Sequence, residues 1–79
     1  MPRYYVRNPK TGRWNIYSTI VEDFILDEWA TFDDLKHYAV SEAAEEKRKD
    51  IESLKTSSPR VNVMPFDAAM ALRKYEYNK

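Results

Sequence analysis

Residues 3–17 read RYYVRNPKTGRWNIY and decide the fold, because they predict a β-hairpin near the start of the chain. Side chains of different character alternate on both sides of residues 8–12, which gives the two-residue period of a strand. The segment between has turn chemistry, since Asn8 can bind its own backbone and Gly12 can adopt the left-handed conformation. A two-stranded hairpin is marginally stable by itself in water, so we expect one face to pack on a helix.

The alternation predicts two different faces for this hairpin. The face that packs on the helices is expected to carry Tyr4, Val6, Trp14 and Ile16. The opposite face is expected to be exposed and basic, with arginines that neutralise phosphates and tyrosines that stack on bases. The candidate contacts with a partner or a nucleic acid are Arg3, Tyr5, Arg7, Lys10, Arg13 and Tyr17.

Two helices are predicted after the hairpin. Thr19 and Glu22 have the spacing of a capping box and precede apolar residues at helical spacing, which predicts a short helix over residues 20–29. Thr31 is a second candidate N-cap, and no glycine or proline interrupts residues 32–54, which predicts one long central helix of roughly 35 Å. Its second half is expected to project or to contact another chain.

The end of the chain predicts one more helix. Residues 56–59, TSSP, break the long helix, and residues 61–63 are either a short strand or an extended connector. Pro65 and Asp67 favour the start of a last helix over residues 66–76. The fold class is therefore α+β with the order β-β-α-α-(β)-α, an N-terminal hairpin packed on two or three helices. The expected core contains Tyr4, Val6, Trp14, Ile16, Val21, Phe24, Ile25, Trp29, Phe32, Leu35, Ala39, Phe66, Met70 and Leu72.

Length and composition limit the class of protein. The 79 residues predict a single small domain, 1–79. The absence of cysteine excludes a structural zinc site built on thiolates and favours a reducing compartment. The first residues lack the apolar segment of a signal peptide, and no apolar run has the length of a membrane span. We therefore expect a cytoplasmic protein that does not contact membranes.

An enzymatic function is not expected from this sequence. The single histidine, His37, follows Asp33 and Asp34 within one helical turn, an arrangement more typical of a solvated helix face than of a triad or a metal site. The single glycine lies in the predicted hairpin turn, so no glycine-rich phosphate loop is present. A chain this short rarely encloses a pocket of several hundred cubic ångströms. We predict no catalytic, metal or cofactor-binding residues, and no cofactor.

The formal net charge of zero conceals separate charged blocks. Residues 1–17 carry four basic residues and no acid, whereas residues 18–46 carry nine acids and one base, Lys36. Such asymmetry is typical of surfaces with opposite character. The basic hairpin either pairs with the acidic segment inside the fold or contacts a partner.

These features favour a small non-enzymatic interaction or adaptor protein that acts through surface contacts with another protein. Aromatic residues and arginine carry much of the energy of protein interfaces, and both are abundant here. A homodimer through the long helix is a further expectation, with Ile51 and Leu54 as its candidate contacts. The alternative is a nucleic-acid-binding protein that uses the basic and aromatic hairpin 3–17, although zero net charge and the acidic block count against it.

Overall fold

The computed structural model describes residues 3–37 and 44–73, which form a three-stranded antiparallel sheet and three short helices. The sheet has the order β1-β2-β3, so β2 is its central strand. The strands are β1 (Arg3–Arg7), β2 (Trp14–Ser18) and β3 (Asp23–Phe24). The helices are α1 (Phe32–His37), α2 (Ala44–Glu52), which continues into a 3-10 turn over Ser53–Lys55, and α3 (Phe66–Leu72). The predicted α+β class is confirmed.

The turn between β1 and β2 forms as its residues predict. The N–H of Lys10 donates to the Asn8 side-chain Oδ1 at 2.9 Å, and the N–H of Gly12 donates to the Asn8 carbonyl at 2.7 Å. Gly12 has a φ of 73°, the left-handed conformation that glycine adopts without steric cost. The N–H of Asn8 closes the loop by donating to the Arg13 carbonyl at 2.8 Å.

The register of this hairpin shows that the predicted assignment of its faces is wrong. Tyr5 pairs with Ile16, and Arg7 pairs with Trp14. Directly paired residues of an antiparallel ladder point to the same face, so Trp14 and Ile16 share the face of the arginines. Tyr17 lies with Tyr4 on the other face. A shift of one residue in register exchanges the faces of a strand, and alternation within each strand does not determine that register.

Both faces of the sheet are covered by other elements, so the prediction that the hairpin has one buried face and one exposed face is wrong. One face forms the α3-side core, in which Val6, Tyr17 and Ala69 are buried beside Phe24, Trp29, Met64 and Phe66. The other face forms the α2-side core, in which Trp14, Leu35 and Ile51 are buried beside Tyr5, Ile16, Leu26, Phe32 and Leu54. The sheet therefore lies between α3 on one side and α1 with α2 on the other.

The helix predicted over residues 20–29 is wrong, because this segment turns back and runs beside β2. Ser18 pairs with Asp23, and at the other end of the strand Trp14 forms an antiparallel bridge with Ala30. The N–H groups of Ile20 and Val21 both approach the Ser18 Oγ, at 3.2 and 3.4 Å. A serine that accepts from following N–H groups can begin a turn as readily as a helix, and the turn forms here.

The segment after β3 is held to β2 by a buried side chain. Asn15 is 1% exposed, and its amide donates to the Leu26 carbonyl at 3.2 Å while its Oδ1 accepts from the Leu26 N–H at 3.1 Å. The Asn15 side chain thus forms the hydrogen bonds with the Leu26 backbone that a paired strand would form in a regular sheet. A buried amide with these partners is stabilising, whereas the same group without them is costly.

The single helix predicted over residues 32–54 is also wrong, because the structure contains two helices that pack together. Leu35 of α1 and Ile51 of α2 both contact the cluster around Trp14. In one straight helix these residues would be roughly 24 Å apart along the axis, which excludes a shared contact. Thr31 does cap α1, since its Oγ1 accepts from the Asp34 N–H at 3.1 Å. Residues 38–43 lie outside the described ranges.

Residues 61–64 are an extended connector that reaches the sheet at one point. The N–H of Tyr5 donates to the Asn62 carbonyl at 2.9 Å, and the N–H of Met64 donates to the Tyr5 carbonyl at 3.0 Å. Tyr5 and Val63 thereby form an isolated parallel bridge. Helix α3 begins after Pro65 as predicted but ends at Leu72, where Arg73 becomes extended. Residues 74–76 of the predicted helix lie outside the described ranges.

Within the described ranges, three of the predicted core residues are buried, whereas three others are exposed. Val6, Trp14 and Leu35 are buried, and most of the other expected members are half-buried. Val21, Ile25 and Leu72 are instead exposed by 56%, 37% and 53%. Ala39 lies outside the described ranges. The buried residues that the sequence did not predict are Asn15, Tyr17, Ser18, Ala30, Ile51, Ser53 and Ala69.

Replacing Ile51 by alanine should lower the free energy of unfolding by about 2–5 kcal/mol, because it leaves a cavity in the α2-side core. Ile20→Ala is the matched control, since Ile20 is 77% exposed and its loss should change stability by about 0.5 kcal/mol or less. Urea denaturation at two protein concentrations measures both. A cost of Ile51→Ala that appears only at high concentration would instead place Ile51 in an interface between chains.

Candidate functional site

A cleft lies between β1, α2 and the connector after the 3-10 turn. Its volume is about 240 Å³. Two of the predicted contact residues, Arg3 and Tyr5, contribute to it, and other residues come from segments far away in sequence. The cleft is lined by Arg3, Tyr5, Ile16, Lys47, Asp50, Arg60, Val61 and Asn62.

Tyr5 and Ile16 form what we call the floor of the cleft, and the Tyr5 backbone is hydrogen-bonded on both edges of its strand. Tyr5 pairs with Ile16 in β2, and on its other side its backbone exchanges hydrogen bonds with Asn62 and Met64. Ile16 packs in the α2-side core, as does Tyr5 itself. The aromatic ring and the isoleucine therefore give the floor of the cleft an apolar surface that is continuous with the α2-side core.

Arg60 is fixed in one wall by three contacts with α2 and its 3-10 extension. Its Nη2 lies 3.0 Å from Glu46 Oε2, and its Nε lies 3.2 Å from Asp50 Oδ1. Its backbone N–H donates to the Ser53 Oγ at 2.8 Å, and that hydroxyl donates to the Asp50 carbonyl. Lys49 Nζ also lies 4.0 Å from Glu46 Oε1, so the two carboxylates are balanced by two cations, Arg60 and Lys49, and Arg60 links the connector to α2.

The cleft retains an excess of positive charge. Arg3 and Lys47 line it, and neither side chain forms an ion pair with a residue of the ranges 3–37 and 44–73. The acidic side chain of the lining, Asp50, is already paired with Arg60. A ligand would therefore meet two cations whose charge the described part of the chain does not balance.

The Tyr5 hydroxyl remains neutral at physiological pH. Burial raises its pKa above the ordinary value near 10, and the Asp50 carboxylate raises it further, while Arg3 opposes the shift. A neutral phenol can both donate and accept a hydrogen bond. The cleft therefore combines an aromatic ring, a neutral hydroxyl and two unbalanced cations.

The other predicted contact residues do not join this cleft. Arg7, Lys10 and Arg13 are exposed at the opposite end of the hairpin, where the Arg13 Nη1 donates to the Trp29 carbonyl at 3.3 Å. Tyr17 is 2% exposed on the other face of the sheet. The six candidate residues are thus divided among three places and do not form one surface.

The candidate dimer contacts lie inside the single chain. Ile51 is 3% exposed and Leu54 is half-buried, and both pack in the α2-side core. The length of the single predicted helix had suggested a projecting second half, because sequence alone did not show that α2 packs on α1. Self-association stays a prediction, but Ile51 and Leu54 are not available to contact a second chain because they pack inside this one.

Neither a metal site nor a membrane-spanning helix is found in the part of the chain that the structure describes. His37 is exposed at the end of α1, and no group of three or more histidine or acidic side chains is placed to hold a metal ion. None of the helices in these ranges has the length and apolar character that crossing a bilayer requires.

A second surface feature was missed because its residues were assigned to a helix. Ile20 and Val21 form what we call the apolar tip, the exposed centre of the loop between β2 and β3. Their exposed fractions are 77% and 56%. Two adjacent β-branched residues directly after Ser18 and Thr19 count against a helix, but this signal does not identify the turn that the structure contains.

Replacing Tyr17 by phenylalanine should lower the free energy of unfolding by about 0.5–1.5 kcal/mol at neutral pH, because its hydroxyl donates to the Leu72 carbonyl at 3.1 Å. Burial raises the pKa of Tyr17, with smaller contributions in the same direction from Glu22 and Asp23. A raised folded-state pKa stabilises the fold below about pH 10, and this contribution is lost as pH rises through the folded value.

The wild type should therefore lose stability above about pH 10 more steeply than Tyr17→Phe. Chemical denaturation between neutral pH and pH 11 measures the difference between the two proteins, so that ionisation of other groups cancels. Parallel curves would contradict a buried, hydrogen-bonded Tyr17.

Comparison of the chain with protein-family models, curated protein sequences and solved structures found no match.

Proposed function

We propose that this chain is a small non-enzymatic interaction protein of the cytoplasm, which binds another protein through its surface. The observation that carries the proposal is the apolar tip, two large β-branched side chains displayed on an ordered loop. Turns usually carry glycine, proline or short polar residues, each for a conformational reason. Ile20 and Val21 offer no such advantage to the turn.

The loop that carries the apolar tip is held by its own backbone. The Ser18 Oγ accepts from the N–H groups of Ile20 and Val21, and the N–H of Glu22 donates to the Ser18 carbonyl at 2.8 Å. Glu22 has a φ of 59°, a left-handed conformation that costs a residue with a side chain roughly 1–2 kcal/mol. The surrounding contacts maintain this conformation, which turns the chain sharply after the tip.

The base of the loop is tied to α3. Arg73 Nε lies 2.8 Å from Asp23 Oδ1, and both side chains are mostly buried. The Arg73 guanidinium also lies over the Phe24 ring, 5.2 Å from its centroid. These contacts join the loop to the end of α3, where Leu72 is 53% exposed.

An ordered apolar loop is suited to binding another protein. Isolated exposed apolar residues are common on protein surfaces and need no functional explanation. Here two adjacent side chains occur on a loop that is already ordered, so binding would require little further loss of conformational entropy. The non-enzymatic part of the proposal rests on the chain's composition, which has no cysteine and one histidine.

Nucleic-acid binding through the hairpin is supported less well. That hypothesis needed one exposed face with alternating arginines and tyrosines, but Tyr17 is buried and the arginines lie at two ends of the hairpin. It stays a prediction, which titration of the chain with a short oligothymidylate tests.

The double variant Ile20→Thr with Val21→Thr should lose a protein partner that the wild type binds. Threonine keeps the branched shape at Cβ and removes apolar surface, so the loop should keep its conformation. The matched control is Val63→Thr, because Val63 is also exposed, by 47%, but lies in the connector beside β1. Each of the three proteins would be immobilised and incubated with a lysate of the organism that encodes the chain. The captured proteins would be quantified by mass spectrometry.

We expect at least one protein to be retained by the wild type and the control and to be depleted about tenfold or more by the double variant. Equal capture by all three proteins would contradict the proposal. The partner could also be a second copy of this chain. In that case, sedimentation of the purified proteins should show self-association of the wild type and its loss in the double variant.

A further inference from the structure

The cleft beside Tyr5 has a size that selects its occupant. Its volume of about 240 Å³ lies below the roughly 300–1,000 Å³ of sites that enclose drug-sized ligands. It exceeds the roughly 150 Å³ of an apolar cavity that holds benzene in another protein. An occupant of one ring or a short branched chain with one attached polar group fits between these limits.

The charges of the cleft indicate the polar group of the occupant. Arg3 and Lys47 approach the cleft from β1 and α2, and neither has an acidic partner in the described ranges. Arg60, by contrast, is paired with Glu46 and Asp50, and Lys49 is the second cation beside Glu46. Cations that converge from separate elements favour carboxylate or phosphate oxygens.

The floor of the cleft indicates the rest of the occupant. Tyr5 and Ile16 are paired neighbours on the sheet, and Val61 adds a third apolar side chain from the connector. A flat or branched hydrocarbon group would be buried against these residues, which is favourable in proportion to the apolar area removed from water. The neutral Tyr5 hydroxyl can add a hydrogen bond to an anionic oxygen.

We propose that this cleft binds a small organic anion, in which a carboxylate or phosphate contacts Arg3 and Lys47 and a compact apolar group lies on Tyr5, Ile16 and Val61. The site is independent of the protein partner proposed for the apolar tip. A long polyanion fits less well, because tight binding of a polyanion requires many phosphates to be neutralised and the described lining of the cleft offers two unpaired cations, Arg3 and Lys47.

The proposal is tested by titrating the isotopically labelled full chain and following its amide signals by nuclear magnetic resonance. The probes are benzoate, phenyl phosphate, inorganic phosphate, neutral benzyl alcohol and a short oligothymidylate. We expect benzoate or phenyl phosphate to shift the signals of Tyr5, Lys47 and Asn62 saturably, with a dissociation constant of about 1 mM or lower. Binding should weaken in higher salt, and inorganic phosphate and benzyl alcohol should each bind less tightly.

Two variants test which cations contact the anion. Arg3→Gln and Lys47→Gln should each weaken binding about tenfold, the scale expected for a hydrogen bond to a charged group. Lys10→Gln is the matched control, because it removes the same charge from the turn at the other end of the hairpin and should leave binding unchanged. All three side chains are at the surface, and the amide spectrum of each variant verifies that it is folded.

Three results would overturn the proposal. The first is the absence of saturable shifts at the cleft with benzoate and phenyl phosphate up to about 20 mM. The second is equal weakening by Lys10→Gln, which would indicate attraction to overall charge. The third is tighter binding of the oligothymidylate with displacement of phenyl phosphate, which would assign the cleft to nucleic acid.

Discussion

The burial of β2 on both faces is the constraint on which the rest of this structure depends. Its five residues all pair with β1 on one edge, and three of them pair with β3 or Ala30 on the other. Trp14 points into the α2-side core and Tyr17 into the α3-side core. A central strand of this kind cannot present a wet face, so the helices cover its two sides, α3 on one and α1 with α2 on the other. The small chain thereby divides its apolar residues between two thin cores.

The two surface features follow from how the remaining segments reach this strand. The segment after β2 returns along it and is held by Asn15, so Ile20 and Val21 are left outside at the reversal. On the other face, α2 crosses beside β1 and the connector bonds to Tyr5, which leaves the cleft between them. The apolar tip and the cleft are therefore products of the topology, and each assembles from residues that the fold brings together or leaves exposed.

Local chemistry predicted well those features that depend on neighbours in sequence. The Asn8 and Gly12 turn, the Thr31 cap and the start of α3 after Pro65 all form as their residues indicate. The predictions were wrong where one local sequence pattern is compatible with two different structures. Ser18 to Glu22 suit a capped helix or a tight loop, and uninterrupted helix formers between residues 32 and 54 are compatible with one helix or two. The candidate site was anticipated only through Arg3 and Tyr5, because Lys47 and Arg60 reach it through tertiary contacts.

The sequence by itself determined the α+β class, the hairpin turn and the burial of Val6, Trp14 and Leu35, since these depend on dihedral preferences and on short-range hydrophobic period. Only the tertiary structure decided the register of the hairpin, the packing of α1 with α2 in one core and the side of the sheet on which each charged residue lies. The register depends on which residues of two strands pair with each other, and the packing of two helices depends on which of their faces meet. Such relations are selected by the burial and hydrogen bonding of residues far apart in the chain, which no local pattern specifies.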